Sequence, residues 1–298
     1  MISQVESFGL ELKLVEVALN RILGCQNLRN EQTDLLIKRG KRLRAILFFH
    51  FFKKLSSTST KFFSRRPNTV MEKNIKTAAL IEALHFASII HDDIIDDSLW
   101  RRGNSSFHQS FGRKFSILFG DYIFANASKR FLDLHQNNRL VQNLFLRECS
   151  STILGAIREQ RLTGTVNIEE CLRVTSLKTS PFFKLSCFLG AYLASDDFKG
   201  SIKYATFGIC FGILYQIQND LDCYKFEDYL ESEDYMQNNI TFPIVILRHY
   251  FNFNVFNDSS NRQENYVKAK EFIFSKQFTE IIKNITKKYY ETVVSNLP

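Results

Sequence analysis

The chain has 298 residues, 45% of them apolar, enough to bury the core of one large domain or two small ones. Its 12 glycines and 4 prolines are too few for a turn-rich β protein and favour long uninterrupted helices. The net charge of +8 fits nucleic acid, an anionic membrane surface or an anionic small substrate, to be decided by where the charges sit, and no apolar run approaches the ~20 residues of a membrane-spanning helix.

In chain order, residues 2–23 place Val5, Leu10, Leu12, Leu14, Val15, Val17, Ala18, Ile22 and Leu23 at helical spacing. Glu6, Glu11 and Glu16 make this stretch too acidic for a transit peptide, and it lacks the basic-then-apolar order of a signal peptide. A Phe-rich helix is predicted over 41–54, then a polar surface loop over 56–69, then a helix over 73–97 that ends in an acidic cluster. Further helices are predicted over 114–134, 138–162, 168–195, 200–224 and 241–251, a loop over 252–265, and a last helix over 266–293. No stretch alternates with period 2, and neither a repeat nor a linker divides the chain. The expectation is one all-α domain, 1–298, with buried helices at its centre.

The six cysteines, at 25, 149, 171, 187, 210 and 223, form no CxxC pair, and no histidine stands at zinc-finger spacing. Cys187 and Cys210 lie in apolar runs as small core residues. A soluble protein of a reducing compartment is expected, in cytoplasm or organelle interior. The 29 Phe against 12 Gly and 4 Pro, with abundant Ile, Asn and Lys, fit the codons of an AT-rich genome, such as that of an organelle (plastid or mitochondrion) or an endosymbiont.

Residues 85–103, HFASIIHDDIIDDSLWRRG, carry the densest chemistry. Residues four apart on a helix stand one turn above each other, so Asp92 and Asp96 share a face and Asp93 lies at its edge. Crowded carboxylates repel, and a hard cation such as Mg²⁺ relieves that repulsion. The bland reading is a solvated acidic helix end, but Leu84, Ala87, Ile90, Ile94 and Ile95 argue for burial, and a buried carboxylate needs a partner. Arg101 and Arg102 follow, with the forked geometry that binds phosphate. Upstream, GKRLR puts Lys41, Arg42 and Arg44 at a helix N-terminus, an anion site if it is more than a solvated basic face. His85 faces the same way as Asp92 two turns earlier, though a lone helical histidine is more often a core residue. Gln216, Asn219, Asp220 and Asp222 form a second possible metal cluster, and Lys178 with Thr179 is a polar insertion in an apolar run.

These residues resemble the trans-isoprenyl diphosphate synthases, the polyprenyl synthetase family, from about residue 38 to about 247. GKRLR matches the family's GKRxR, and HDDIIDDSLWRRG its first aspartate-rich motif and RRG. GDYIFANA, LKT, LSCFLGAYLA and FGICFGILYQIQND follow in the expected order. The resemblance implies a bundle of long helices around a central cavity, with two aspartate-rich motifs facing across its mouth. It implies an allylic diphosphate held by three Mg²⁺ ions, its ionisation, and alkylation of isopentenyl diphosphate by the allylic cation. Asp92, Asp93 and Asp96, with Asn219 and Asp220 of the second motif, would hold Mg²⁺. Arg101 would bind the allylic diphosphate, and Lys41, Arg44, His85 and Arg102 isopentenyl diphosphate. Lys178, Thr179 and Gln216 would line the reacting centre. A homodimer is implied, with a heteromer as the other arrangement; no nucleic-acid partner is.

The chain departs from the family twice. Its second motif reads Asn219-Asp220-Leu221-Asp222-Cys223 where the family has DDxxD, and Asn239 stands where the family has lysine. Three functions fit: a long-chain synthase making products of twenty carbons or more, a catalytically weak or regulatory subunit of a heteromer, and a class I terpene cyclase. NDLDCYKFE matches the cyclase pattern NDxx(S/T)xxxE except at Cys223. Small residues at Ala87 and Ser88, four or five before Asp92, leave room for a long product, with Leu84 and Ile81 further down.

Overall fold

Local signals on the chain set where four of the helices begin. Asn138, Asn167, Asp197 and Ser275 each accept, through the side-chain oxygen, the N–H three residues on, at 3.1, 2.8, 3.0 and 3.1 Å. That bond satisfies one of the orphan donors of a helix's first turn and contributes about 1 kcal/mol. In the computed structural model, which describes residues 8–23, 40–57, 67–101, 104–163, 165–227, 233–256 and 261–296, the helices are α1 (Gly9–Leu23), α2 (Leu43–Ser56), α3 (Pro67–Ile95), α4 (Phe107–Phe111), α5 (Arg113–Leu134), α6 (Arg139–Glu159) and α7 (Ile168–Ser195). They continue as α8 (Phe198–Asp222), α9 (Glu233–Met236), α10 (Phe242–Phe251), α11 (Arg262–Ile273) and α12 (Lys276–Asn296). Strands β1 (Trp100–Arg101) and β2 (Asn104–Ser105) pair antiparallel, Trp100 opposite Ser105. The all-α expectation holds.

Two differences from the predicted elements have plain causes. The helix predicted over 266–293 is two, because Ser275 caps α12 and breaks the helix although the apolar rhythm continues across it. The strands and α4 are too short to show a period. Most of the predicted loop 56–69 lies outside the described residues.

The chain divides into two compact units: Met1–Leu146 with Leu185–Ala205, and Arg147–Lys184 with Thr206–Pro298. In the first, α3 packs against α5, α1 and α2. It is buried nearly all round from Thr77 to Leu84, since apolar residues there occupy every face. Phe48, Phe49, Phe51 and Phe52 of α2 are fully buried, each contributing about 1.5–3 kcal/mol. The second unit has its own core of Leu172, Ile213, Ile217, Tyr224, Tyr235, Val245, Leu247 and Tyr266. Close approach matters at Gly155 and Gly212: a Cβ would lie 2.3 Å from the Lys178 nitrogen and 2.7 Å from the Ser180 Cα. Glycine there lets α6 and α8 press onto α7 beside Thr179. Cys187 and Cys210 are buried, as expected of core thiols. Among the described residues, no helix is long and apolar enough to cross a membrane.

Candidate active site

The four aspartates at the end of α3 have three different surroundings. Asp92 and Asp96 are half-buried and one turn apart, since the Asp96 N–H still donates to the Asp92 carbonyl at 2.8 Å. Asp93 turns inward: 1% exposed, it accepts from Arg101 Nε at 2.8 Å and from a second guanidinium nitrogen. Burial raises its pKa, and the Arg101 charge opposes that shift. Asp97 ends the helix. Its φ of 48° is left-handed, and Ser98 N–H reaches back to the Asp93 carbonyl at 2.9 Å, closing the turn that a glycine usually closes. Arg113 holds this strained corner, donating at 3.0 Å to both the Asp97 carboxylate and the Ile94 carbonyl.

The basic segment is organised from α3 as well. Arg42, at the N-cap of α2, has φ 50° and makes no side-chain cap. The cap comes instead from Glu82 of α3, 3% exposed, which accepts the Ala45 N–H at 3.1 Å. The expected anion site at this helix start therefore already has a carboxylate on one of its N–H groups. Lys41 is exposed and Arg44 is 7% exposed. His85 is half-buried on α3, and its carbonyl accepts the Ser88 hydroxyl at 2.8 Å. Arg102 lies outside the described residues. Sequence reasoning missed Glu82. A glutamate inside an otherwise apolar helical stretch was its one signal.

In the second unit, α7 carries Lys178 and Thr179 and α8 carries Gln216, Asn219 and Asp220. Lys178 ion-pairs with Glu159 of α6, a partner that sequence spacing did not suggest. Thr179 Oγ1 donates to Gln216 Oε1 at 3.1 Å, and Gln216 Nε2 donates to Asp220 Oδ1 at 2.7 Å. Asp220 Oδ2 accepts the Phe242 N–H at 3.1 Å, at the first turn of α10, where Thr241 makes no side-chain cap. Asp222 accepts from Gln218 and Lys225, each at 2.7 Å. Cys223 Sγ faces the Asn219 carbonyl at 3.5 Å, and Asn239 donates to Gln237 at 3.1 Å.

The two aspartate-rich segments differ as metal sites. Mg²⁺ ordinarily takes one or two protein carboxylates and completes its shell with water and phosphate oxygens. Asp92 and Asp96, hard donors one turn apart on a rigid helix, fit that requirement. The second segment offers less. Asn219 is uncharged, Asp220 is committed to two N–H donors, and Cys223 is a soft ligand. Among the described residues, no three His, Cys, Asp or Glu side chains converge as a ligand set.

The sequence model of the polyprenyl synthetase family matches residues 26–276. The chain is 33% identical over 189 residues to decaprenyl-diphosphate synthase of Dictyostelium discoideum, covering 61% of this chain and 37% of that protein. It is 29% identical over 176 residues to heptaprenyl diphosphate synthase component 2 of Bacillus subtilis (strain 168), covering 56% and 49%. The chain thus spans about half the length, or less, of these relatives. The fold superimposes on a polyprenyl synthase from Caulobacter crescentus, complexed with calcium and isoprenyl diphosphate, with a TM-score of 0.78 at 18% identity, over 97% of this chain and 89% of that one. With the family match extending across both units, the chain belongs to the polyprenyl synthetase family.

Proposed function

We propose that the chain is a prenyltransferase that joins an allylic diphosphate to isopentenyl diphosphate and makes a polyprenyl diphosphate of twenty carbons or more. The observation that carries this is the end of α3: Asp92 and Asp96 one turn apart, beside an Arg101 held by buried Asp93. The names of the decaprenyl and heptaprenyl relatives support a long product. The allylic C–O bond breaks, diphosphate departs, the isopentenyl double bond forms the new C–C bond, and a proton is lost.

Asp92 and Asp96 would hold Mg²⁺, which when bound neutralises charge on the departing diphosphate. Asp93 fixes the fork of Arg101, and Arg101 binds the allylic diphosphate. Lys41, Arg44, His85 and Arg102 receive isopentenyl diphosphate. Lys178, Thr179 and Gln216 line the reacting centre, and the fold acts as one catalytic domain. We place it in the cytoplasm or an organelle interior, on its compositional bias. It works as a homodimer, supported by Ile153, Leu154 and Ile157, large aliphatic residues exposed on α6.

A second reading, a weakly catalytic subunit of a heteromer, is favoured by the altered second motif and by the relative named as component 2. Incubation with farnesyl diphosphate, Mg²⁺ and labelled isopentenyl diphosphate separates them. Elongation by the purified chain supports the first reading, and turnover only with an added second component the other. Isopentenyl-independent hydrocarbon would make it a cyclase, and undiminished activity in excess EDTA would remove the metal role.

A further inference from the structure

We infer that Asp220 is not a metal ligand but a positioning residue, whose carboxylate fixes which end of the Gln216 amide faces Thr179. This rests on the prenyltransferase reading above, because that reading puts Thr179 and Gln216 at the reacting centre. An ionised carboxylate can only accept hydrogen bonds. Asp220 is 6% exposed and accepts on both oxygens, from Gln216 Nε2 at 2.7 Å and from the Phe242 N–H at 3.1 Å. Gln216 must therefore turn its nitrogen to Asp220 and its oxygen to Thr179. That oxygen in turn takes the Thr179 hydroxyl proton at 3.1 Å.

The direction of the chain of bonds is thus set at its far end, by a charge anchored on the first turn of α10. Its chemical result is a centre that offers oxygen lone pairs from Thr179 and Gln216 rather than N–H groups. Lone pairs stabilise a developing allylic cation, and an N–H dipole in the same place opposes it. The same bonds give Asp220 work that does not involve a metal.

Asp220→Asn separates the roles. Asparagine can keep its oxygen on the Phe242 N–H, so α10 stays capped. Its NH₂ then meets the Gln216 amide and turns that amide over. The expected result is a thermal midpoint close to wild type, KM values for both substrates and for Mg²⁺ within about twofold, and kcat lower by about tenfold, equivalent to 1.4 kcal/mol. Mn²⁺ binding in the presence of inorganic pyrophosphate, followed by the loss of free-ion EPR signal, should be unchanged in Asp220→Asn and weakened at least tenfold in Asp92→Asn. An unchanged kcat, or Mn²⁺ binding lost in Asp220→Asn, overturns the inference. If that variant fails to fold, a wild-type crystal grown with Mn²⁺ and pyrophosphate decides: an anomalous peak bonded to an Asp220 oxygen overturns it, and peaks at Asp92 and Asp96 with none at Asp220 support it. A wild-type chain that binds Mn²⁺ and pyrophosphate yet elongates nothing overturns the prenyltransferase reading instead, and the metal measurements still judge Asp220.

Discussion

His135, at the end of α5, is 1% exposed and hydrogen-bonds Thr77 at 3.0 Å. The Thr77 hydroxyl gives its proton to the Lys73 carbonyl at 2.8 Å, so it must accept from His135 Nε2–H. That fixes the tautomer and leaves Nδ1 as a buried lone pair with no partner among the described residues. Burial, and after it the charge of Lys73, pushes the pKa down to about 4. The unfolded chain, with histidine near 6.5, takes up a proton first as pH falls. Stability present above pH 6.5 is therefore lost progressively toward pH 4, by up to about 3 kcal/mol. Urea unfolding at pH 7 and pH 4.5 checks this. His135→Phe, which keeps a ring beside Phe131, should be less stable at pH 7 and lose less between the two pH values than wild type. Equal losses would mean that His135 carries its proton in the folded state.

At the scale of elements, a local cause was legible only where the apolar rhythm also stopped: the equally local Ser275 cap of α12 was missed because apolar residues continue at helical spacing across it. The starts of α6, α7 and α8 were legible because Asn138, Asn167 and Asp197 cap them from within the same few residues. The caps of α2 and α10 were not, since Glu82 and Asp220 arrive from 37 and 22 residues away. The site divides in the same way. Asp92 and Asp96 share a face by spacing alone, whereas the inward turn of Asp93 depends on Arg101 returning through β1. The same distinction governs the test of product length on α3. A turn rises about 5.4 Å, close to one isoprene unit, so the residues before Asp92 measure a tail lying along this helix. Ala87 is fully buried, so a Phe there would overpack the core and cost about 1–3 kcal/mol. Ser88 is half-buried and its hydroxyl only folds back onto the His85 carbonyl, which makes it the better probe. Ser88→Phe should shorten the product toward ten or fifteen carbons with the fold intact. An unchanged product length on thin-layer chromatography would show that the tail does not run past this side chain.

For the whole molecule, charge and apolar surface pull in opposite directions. A net charge of +8 makes two copies repel, which favours a monomer at low ionic strength. Against this, α6 exposes Ile153, Leu154 and Ile157 at three- and four-residue spacing, so they lie along one side of the helix. Burying such residues between copies gains about 25 cal/mol per Å² of apolar area, without cost to any charge. Salt screens the repulsion within about a Debye length and leaves the apolar term in place, so association should strengthen from low to physiological salt. Sedimentation velocity at micromolar concentration should show a dimer that tightens with added salt. Ile153→Lys with Ile157→Lys should shift it to monomer without lowering its thermal midpoint by more than a few degrees, because about half of each side chain already faces solvent in the single chain. A dimer that weakens with salt would place the contact on ion pairs instead. A wild-type monomer that pairs only with a different polypeptide would give these residues to the heteromer.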